Sequence, residues 1–466
     1  MNTKYYDLIN QTFYFPQEGF TLNKDNLQFN NIDLMKLVEE YGTPLKFTYL
    51  PAISNNINKA KSWFRKAMEK NKYDGKYYYC YCTKSSHFEF VMNEAFKNNI
   101  HIETSSAFDI NIVEKLLEEG KINKNTYVVC NGFKREQYVE NIARLINSGH
   151  SRTIPVIDNY EELDLLMDKI DNKKIKIGIR IAAEEEPKFE FYTSRLGIGY
   201  KNIVPFYRKQ IQENKDVELK MLHFFINTGI RDTAYYWNEL LKCMKVYIAL
   251  KKECPTLDSL NIGGGFPIKN SLAFEYDYEY MIDEIINQIK IACDEAEIDV
   301  PHIFTEFGTF TVGESGGAIY QVLYQKQQND REKWNMIDSS FITTLPDTWA
   351  INKRFVMLAV NRWNDTYERV LLGGLTCDSD DYYNSEQHMN AVYLPKYNKE
   401  KPLYIGFFNT GAYQETIGGF GGLHHCLIPQ PKHILIDRDE NGIIATEVFS
   451  EQQTAEDVMK ILGYNK

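Results

Sequence analysis

Lys84, in the segment YCTKSS, follows a run of aromatic and apolar residues, KYYYCYC (76–82), that reads as a strand. A lysine amine at such a place can hold an aldehyde as a Schiff base. Gly263-Gly264-Gly265 follow another strand-like run, LDSLNI (257–262), and glycine N–H groups can cradle a phosphate. Glu306 ends a third, HIFTEF (302–307), where a carboxylate can keep a pyridine nitrogen protonated. Glu103 closes IHIET (100–104), Arg180 lies near the end of KIKIGIRIA (174–182), and Asn227-Thr228-Gly229 follow ELKMLHFFI (218–226). Taken singly, each has an ordinary explanation as a solvated loop residue, a surface charge or a flexible turn. Taken together they meet three requirements of pyridoxal 5'-phosphate: an amine, a phosphate cradle and a carboxylate for the ring nitrogen.

What must position them is a repeat of pattern. With TYVVC (126–130) and TIPVI (153–157), eight strand-like runs alternate with amphipathic stretches. FDINIVEKLLEEG places Ile110, Val113, Leu116 and Leu117 at helical spacing and stops at Gly120. DNYEELDLLMDKI offers Asp158 or Asn159 as an N-cap, and PAISNNINKAKSWFRKAMEK precedes the first run. Eight β-then-α units predict an α/β fold with a closed (β/α)8 barrel, whose active site lies at the C-terminal ends of the strands. After about residue 316 the runs AIYQVLYQKQ, ERVLLGGLTCD, PLYIGFFNTG, KHILID and IIATEVFS predict a mostly antiparallel β domain without regular helices. The expected division is 44–315 for the barrel and 316–466 for the β domain, with 1–43 added to the latter.

Bulk properties narrow the class. The 466 residues carry a formal net charge of −11, and no basic cluster suggests nucleic acid. No apolar run reaches the roughly 20 residues a membrane span needs, and the N-terminal MNTKYYDLINQTFYFPQEGF lacks the apolar core of a signal peptide. A cytoplasmic protein is expected, with its eight cysteines reduced.

The segments VVCNGFKREQYV (128–139), SFITTLPDTWAI (340–351), LTCDSDD (375–381) and GFFNTGAYQETIGG (406–419) carry a resemblance. From about residue 41 onward the chain resembles the pyridoxal-phosphate decarboxylases of ornithine, arginine and diaminopimelate, which have an alanine-racemase-like fold. It is most similar to the biosynthetic arginine decarboxylases. The resemblance implies that Lys84 bears the cofactor, that Glu306 pairs with the pyridine nitrogen, and that Gly264, Gly265, Thr228 and Tyr413 contact the phosphate. It places Glu103 and Arg180 beside the cofactor and makes Cys377 the proton donor to the substrate carbon. Asp378 would hold the cationic end of the substrate, and Asp338 falls where the family keeps substrate-selecting residues. Cys377 and Asp378 would reach in from the second chain of a homodimer. The implied reaction is arginine to agmatine, feeding polyamine synthesis. Ornithine, lysine or a carboxylated polyamine are the alternative substrates, and a catalytically silent relative is the alternative class.

Two positions depart from the family pattern. Thr309 stands where an arginine usually follows the glutamate and grips the phosphate, and Phe225 stands where a histidine usually stacks on the ring. These substitutions predict a weaker hold on the cofactor. The pair His424-His425 is read as carrying no metal, for want of an acidic or cysteine partner at ligand spacing.

Overall fold

In the computed structural model the described residues are 15–171, 174–184, 193–383 and 392–464. The N-terminal stretch read for a signal peptide lies largely outside them. The chain divides into two compact units, one of residues 53–267 and 276–311, the other of residues 15–52, 268–275 and 312–464 within the described range.

The first unit is a barrel. Its strands are β1 (Tyr77–Cys82), β2 (His101–Thr104), β3 (Val128–Cys130), β4 (Thr153–Ile157), β5 (Ile175–Ala182), β6 (Val217–His223), β7 (Ser259–Asn261) and β8 (His302–Phe307). They pair in chain order, all parallel, and β8 returns to β1, which closes the ring. Cys80, Val129, Ile154, Val156, Met221 and Phe304, drawn from five of these strands, form one buried apolar cluster. Residues two apart on a strand share a face. Glu306 therefore projects to the same side as Phe304, and Asn131 continues the line of Val129. The polar residues at the strand ends sit on an apolar plug, as a barrel with a packed interior requires.

The connecting helices follow their sequence signals with one adjustment. The helix Ala107–Glu118 begins at Ser106, whose hydroxyl accepts from Asp109 N–H while Asp109 returns the bond to the Ser106 N–H. Such a cap contributes about 1 kcal/mol. The helix gives way to Gly120 at φ +68°. The next predicted helix starts later, at Glu162, because Asn159 takes the Glu161 N–H into a tight turn and delays the first helical residue.

In the second unit the twelve-residue strand Gly316–Gln327 is central. It pairs antiparallel with Lys333–Ile337, Leu403–Phe408 and Leu45–Tyr49. Two pairings are parallel, Lys333–Ile337 with Tyr367–Gly373 and Leu45–Tyr49 with Lys432–Arg438, so the sheet is mixed though mostly antiparallel. Residues 44–52 cluster with this unit through the strand Leu45–Tyr49. Its core includes Phe47, Ile319, Phe341, Trp363, Phe407, Phe408 and Ile434. Helices are present as well, among them Leu34–Tyr41 and the short Phe341–Thr344, Pro346–Ala350 and Gln414–Gly418. Another, Ala455–Leu462, is capped by Thr454 and Asp457 and replaces the expected absence of regular helix near the C-terminus. No helix among the described residues is long and apolar enough to cross a membrane.

Candidate active site

Eight parallel strands bring their C-terminal ends to one rim, and the polar residues there are wired together. Lys84 sits in a single 3-10 turn, Thr83–Ser85, directly after β1. The turn is held by the Ser85 hydroxyl donating to the Cys82 carbonyl (2.8 Å) and by the Tyr81 hydroxyl donating to the Ser86 carbonyl (2.8 Å). The lysine side chain is half exposed, and its Nζ lies 3.8 Å from Glu103 Oε2. Glu103 and Glu306 are both buried, and Asn131 bridges them, its Nδ2 donating to Glu103 Oε1 (2.9 Å) and Glu306 Oε1 (2.7 Å). Asn261 donates its Nδ2 to the same Glu306 oxygen and takes the Gly263 N–H on its Oδ1 (2.9 Å). One asparagine thus fixes both the carboxylate and the start of the glycine loop.

The two carboxyls are pushed apart in acidity. Burial raises the Glu103 carboxyl, only partly offset by Lys84 and reinforced by the nearby Glu306 charge. Burial acts on Glu306 in the same direction, but His223, Lys84 and Asn131 together outweigh it and hold this carboxyl below the usual range. Glu306 is the one that carries the negative charge. His223 Nε2 lies 3.5 Å from Glu306 Oε2, and burial lowers the imidazole pKa.

Arg180, near the end of β5, places its guanidinium 5.7 Å from the centroid of the Phe225 ring. Arg180 Nε, Asn131 Oδ1 and His223 Nδ1 are buried without a hydrogen-bond partner among the described residues. Buried polar groups are normally paired, and a cluster of unpaired ones marks a place where a polar partner fits. The loops after β6 and β7 meet backbone to backbone. A Cβ on Gly229 would lie 2.4 Å from the Gly265 carbonyl oxygen, and one on Gly264 would lie 2.2 Å from the Glu306 carbonyl oxygen. Only glycine lets these loops close, and their closure sets Gly229, the residue after Thr228, against Gly265. Thr309 is half-buried and opens the short helix Thr309–Val312 after β8. The barrel thus gathers Lys84, Glu103, Arg180, Phe225, Thr228, Gly264, Gly265 and Glu306 at its strand ends. Asn131, Asn261 and His223 join them, and sequence reasoning gave none of the three a role. The signal that could have found them is position, since each stands at or just after the end of a strand. An ionised carboxylate, an amine, an arginine and a glycine-lined cradle fit a planar ring that bears a phosphate.

The loop that holds Asn131 depends on a buried ion pair. Lys134 Nζ reaches Glu162 Oε2 (3.1 Å), the Gly132 carbonyl (2.9 Å) and the Val156 carbonyl (2.5 Å), with both charged side chains fully buried. Lys134→Met would leave Glu162 buried without its cation, a loss of roughly 3–5 kcal/mol. Thermal or denaturant unfolding of the variant measures it.

The other four candidates lie in the second unit. Asp338 is half-buried and accepts the Gln321 N–H (3.0 Å), and burial raises its carboxyl to about 6. Tyr413 stands at φ +70°, uncommon for a residue with a side chain, just before the helix Gln414–Gly418. Cys377 and Asp378 are exposed on the loop after Tyr367–Gly373. That loop is pinned by buried Asp381, which takes the N–H groups of Phe341 (2.8 Å) and Thr376 (3.1 Å). Gln414 in turn donates to Asp347 Oδ2 (2.8 Å). The segments LTCDSDD, SFITTLPDTWAI and GFFNTGAYQETIGG are therefore clipped to one another, a role their sequences did not announce. The Cys426 thiol beside Cys377 raises the Cys377 pKa.

Comparison with known proteins bears on the fold and the family. Residues 55–313 match the family described as pyridoxal-dependent decarboxylase, pyridoxal binding domain. A biosynthetic arginine decarboxylase of Prochlorococcus marinus (strain MIT 9215) is 21% identical, over 96% of this chain and 87% of that protein. The crystal structure of a biosynthetic arginine decarboxylase from Campylobacter jejuni superposes with a TM-score of 0.80 at 19% identity, covering 96% of this chain and 89% of that one. A diaminopimelate decarboxylase from M. jannaschii, solved with L-lysine, gives 0.79 at 17% identity, covering 96% and 98%. With more than half of its length matched by that family, this chain belongs to the pyridoxal-dependent decarboxylases.

Proposed function

We propose that the protein decarboxylates arginine to agmatine, as an early step toward polyamines. The observation that carries this reading is the extent of the likeness. Relatives named biosynthetic arginine decarboxylase align along 96% of the chain, through the second unit as well as the barrel. The assay that tests it offers arginine, ornithine, lysine and a carboxylated polyamine separately and measures CO2 and amine product. Agmatine from arginine, at a kcat/KM at least about tenfold above the others, supports the proposal. A better substrate among the others refutes the choice of arginine, and no product from any refutes the activity in favour of a silent relative.

When bound, pyridoxal phosphate supplies a conjugated ring that accepts the electron pair left on Cα as CO2 departs. Lys84 is the amine that would hold the cofactor aldehyde at the rim after β1. Glu306 keeps a proton on the ring nitrogen, which its low pKa and its two asparagine donors suit it to do. Gly264, Gly265, Thr228 and Tyr413 bind the phosphate, and Phe225 supplies an apolar stacking face. Burial raises the Glu103 carboxyl and so weakens its charge beside Lys84, and Arg180 balances Glu306. The Cys377 thiol delivers the proton to Cα, acting as a general acid. Asp378 takes the cationic end of the substrate, and Asp338 lies in the same unit as a further selector.

Thr309 offers the phosphate a hydroxyl in place of a guanidinium. A charge-assisted bond exceeds a neutral one by about 1–2 kcal/mol, so cofactor dissociation should be roughly 5- to 30-fold easier than with arginine there. Thr309→Arg should slow cofactor release, while unaltered release in both Thr309→Arg and Thr309→Ala would show that this position does not touch the phosphate.

The working form in this reading is a homodimer in which Cys377 and Asp378 of one copy complete the site of the other. Cys377→Ala and Lys84→Ala should each be inactive alone. Mixed and re-equilibrated, they should recover up to about a quarter of wild-type activity, because half the dimers are hybrids and each hybrid holds one intact site. No recovery in demonstrably mixed dimers would mean that each site is built from a single chain.

A further inference from the structure

The structure brings together a set of residues that the sequence leaves 49 positions apart. Cys377 Sγ lies 3.3 Å from Cys426 Sγ, and the Cys377 N–H points at the same sulfur, 3.5 Å away. One donor atom each of Cys377, His425 and Cys426 falls within 4.8 Å of the other two, and all three residues are exposed. Asp378 adds a carboxylate oxygen 3.8 Å from His425 Nε2. The six other cysteines are buried. Reading His424-His425 without a cysteine partner overlooked Cys426, the next residue, and could not foresee Cys377.

The turn that presents these ligands is built and braced. Cys426 and Leu427 both hold φ +53°, a conformation residues with side chains seldom adopt twice in succession. His424 is buried and fastens the turn, its Nδ1 3.1 Å from the Ile428 carbonyl oxygen and its own carbonyl taking the Leu427 N–H (3.0 Å). On the opposite side, Asp381 pins the loop of Cys377. Two thiols and an imidazole, with a carboxylate or water in the fourth place, are the donor set of a borderline-soft divalent cation. In a tetrahedral site with zinc–sulfur bonds of about 2.3 Å, the two sulfurs stand roughly 3.8 Å apart. Opening the present sulfur separation by about half an ångström reaches that value, a movement that exposed side chains can make.

We infer that Cys377, His425 and Cys426, with Asp378 or water as the fourth ligand, form a binding site for a zinc-like divalent cation. Binding turns both thiols into metal-bound thiolates and releases two protons to solvent. This part stands whatever Cys377 does in the reaction. The consequence for activity rests on the reading above: a cation on Cys377 removes the proton that the thiol would deliver, so the metal is an inhibitor.

The test uses the full-length holoenzyme, reduced with a phosphine and stripped of metal. Zinc is titrated in competition with a chromophoric chelator, and cobalt(II) is used as a spectroscopic probe. The inference expects one zinc per chain and a thiolate-to-cobalt charge-transfer band. Both should be lost in Cys426→Ser, with zinc affinity down on the order of 100-fold or more, and weakened in His425→Ala. Equal binding by wild type and both variants, or no zinc bound above that of Cys426→Ser, overturns the site. Zinc should lower kcat in wild type and leave Cys426→Ser unaffected. If zinc binds as described yet wild-type kcat does not fall, the site stands and Cys377 is not the proton donor.

Discussion

Lys84→Ala should leave a folded protein that no longer decarboxylates, with kcat down on the order of 10^4-fold or more, as for loss of a residue that forms a covalent bond to cofactor or substrate. Folding should survive because the lysine side chain is half exposed. Its turn is held by the Ser85 and Tyr81 bonds, which the substitution leaves in place. The neighbouring Glu103 is raised in pKa by burial and can stay protonated when the cation is gone. Steady-state kinetics paired with a thermal melt separates the two effects. A variant that folds and retains more than a hundredth of the activity would remove Lys84 from its role.

Glu306→Gln has the next largest expected effect, a fall in kcat of about 10^2–10^3-fold, the scale seen when one preorganised electrostatic group is removed. Glutamine keeps the size and one oxygen to accept from Asn131 and Asn261, so the local packing is retained. What it lacks is the charge, and a neutral amide cannot keep a proton on the ring nitrogen. Cofactor affinity should change less than tenfold, because glycines and hydroxyls bind the phosphate elsewhere. Arg180 loses a compensating charge, so a modest drop in melting temperature is expected as well. If kcat is unchanged while the cofactor dissociates freely, Glu306 supports binding and not the electronics of the reaction.

The barrel was legible because each of its eight strands is a short apolar run separated from the next by an amphipathic stretch. Lys84, Glu103, Arg180 and Glu306 could be found by asking what stands at the ends of those runs. Asn131, Asn261 and His223 escaped because a single polar residue at the end of an apolar run reads as the start of a loop. Only the closed ring shows that two asparagines converge on one carboxylate oxygen. The second unit was legible as strands but not as a sheet, since its two parallel pairings join segments far apart in the chain, such as Leu45–Tyr49 with Lys432–Arg438. Its short helices rest on local features, among them Ser340 as a cap and Pro346 at a first turn, too brief to leave a periodic pattern. The approach of Cys377 to Cys426 is of the same kind, a contact fixed by the fold and invisible to spacing.

The most direct test of the account is chemical attachment. The holoenzyme, purified with pyridoxal phosphate, is reduced with borohydride, digested and mapped by mass spectrometry. The account predicts a single phosphopyridoxyl modification, on the peptide containing Lys84, at close to one per chain. Label on Lys134, or on any lysine other than Lys84, or spread evenly among several, would contradict it.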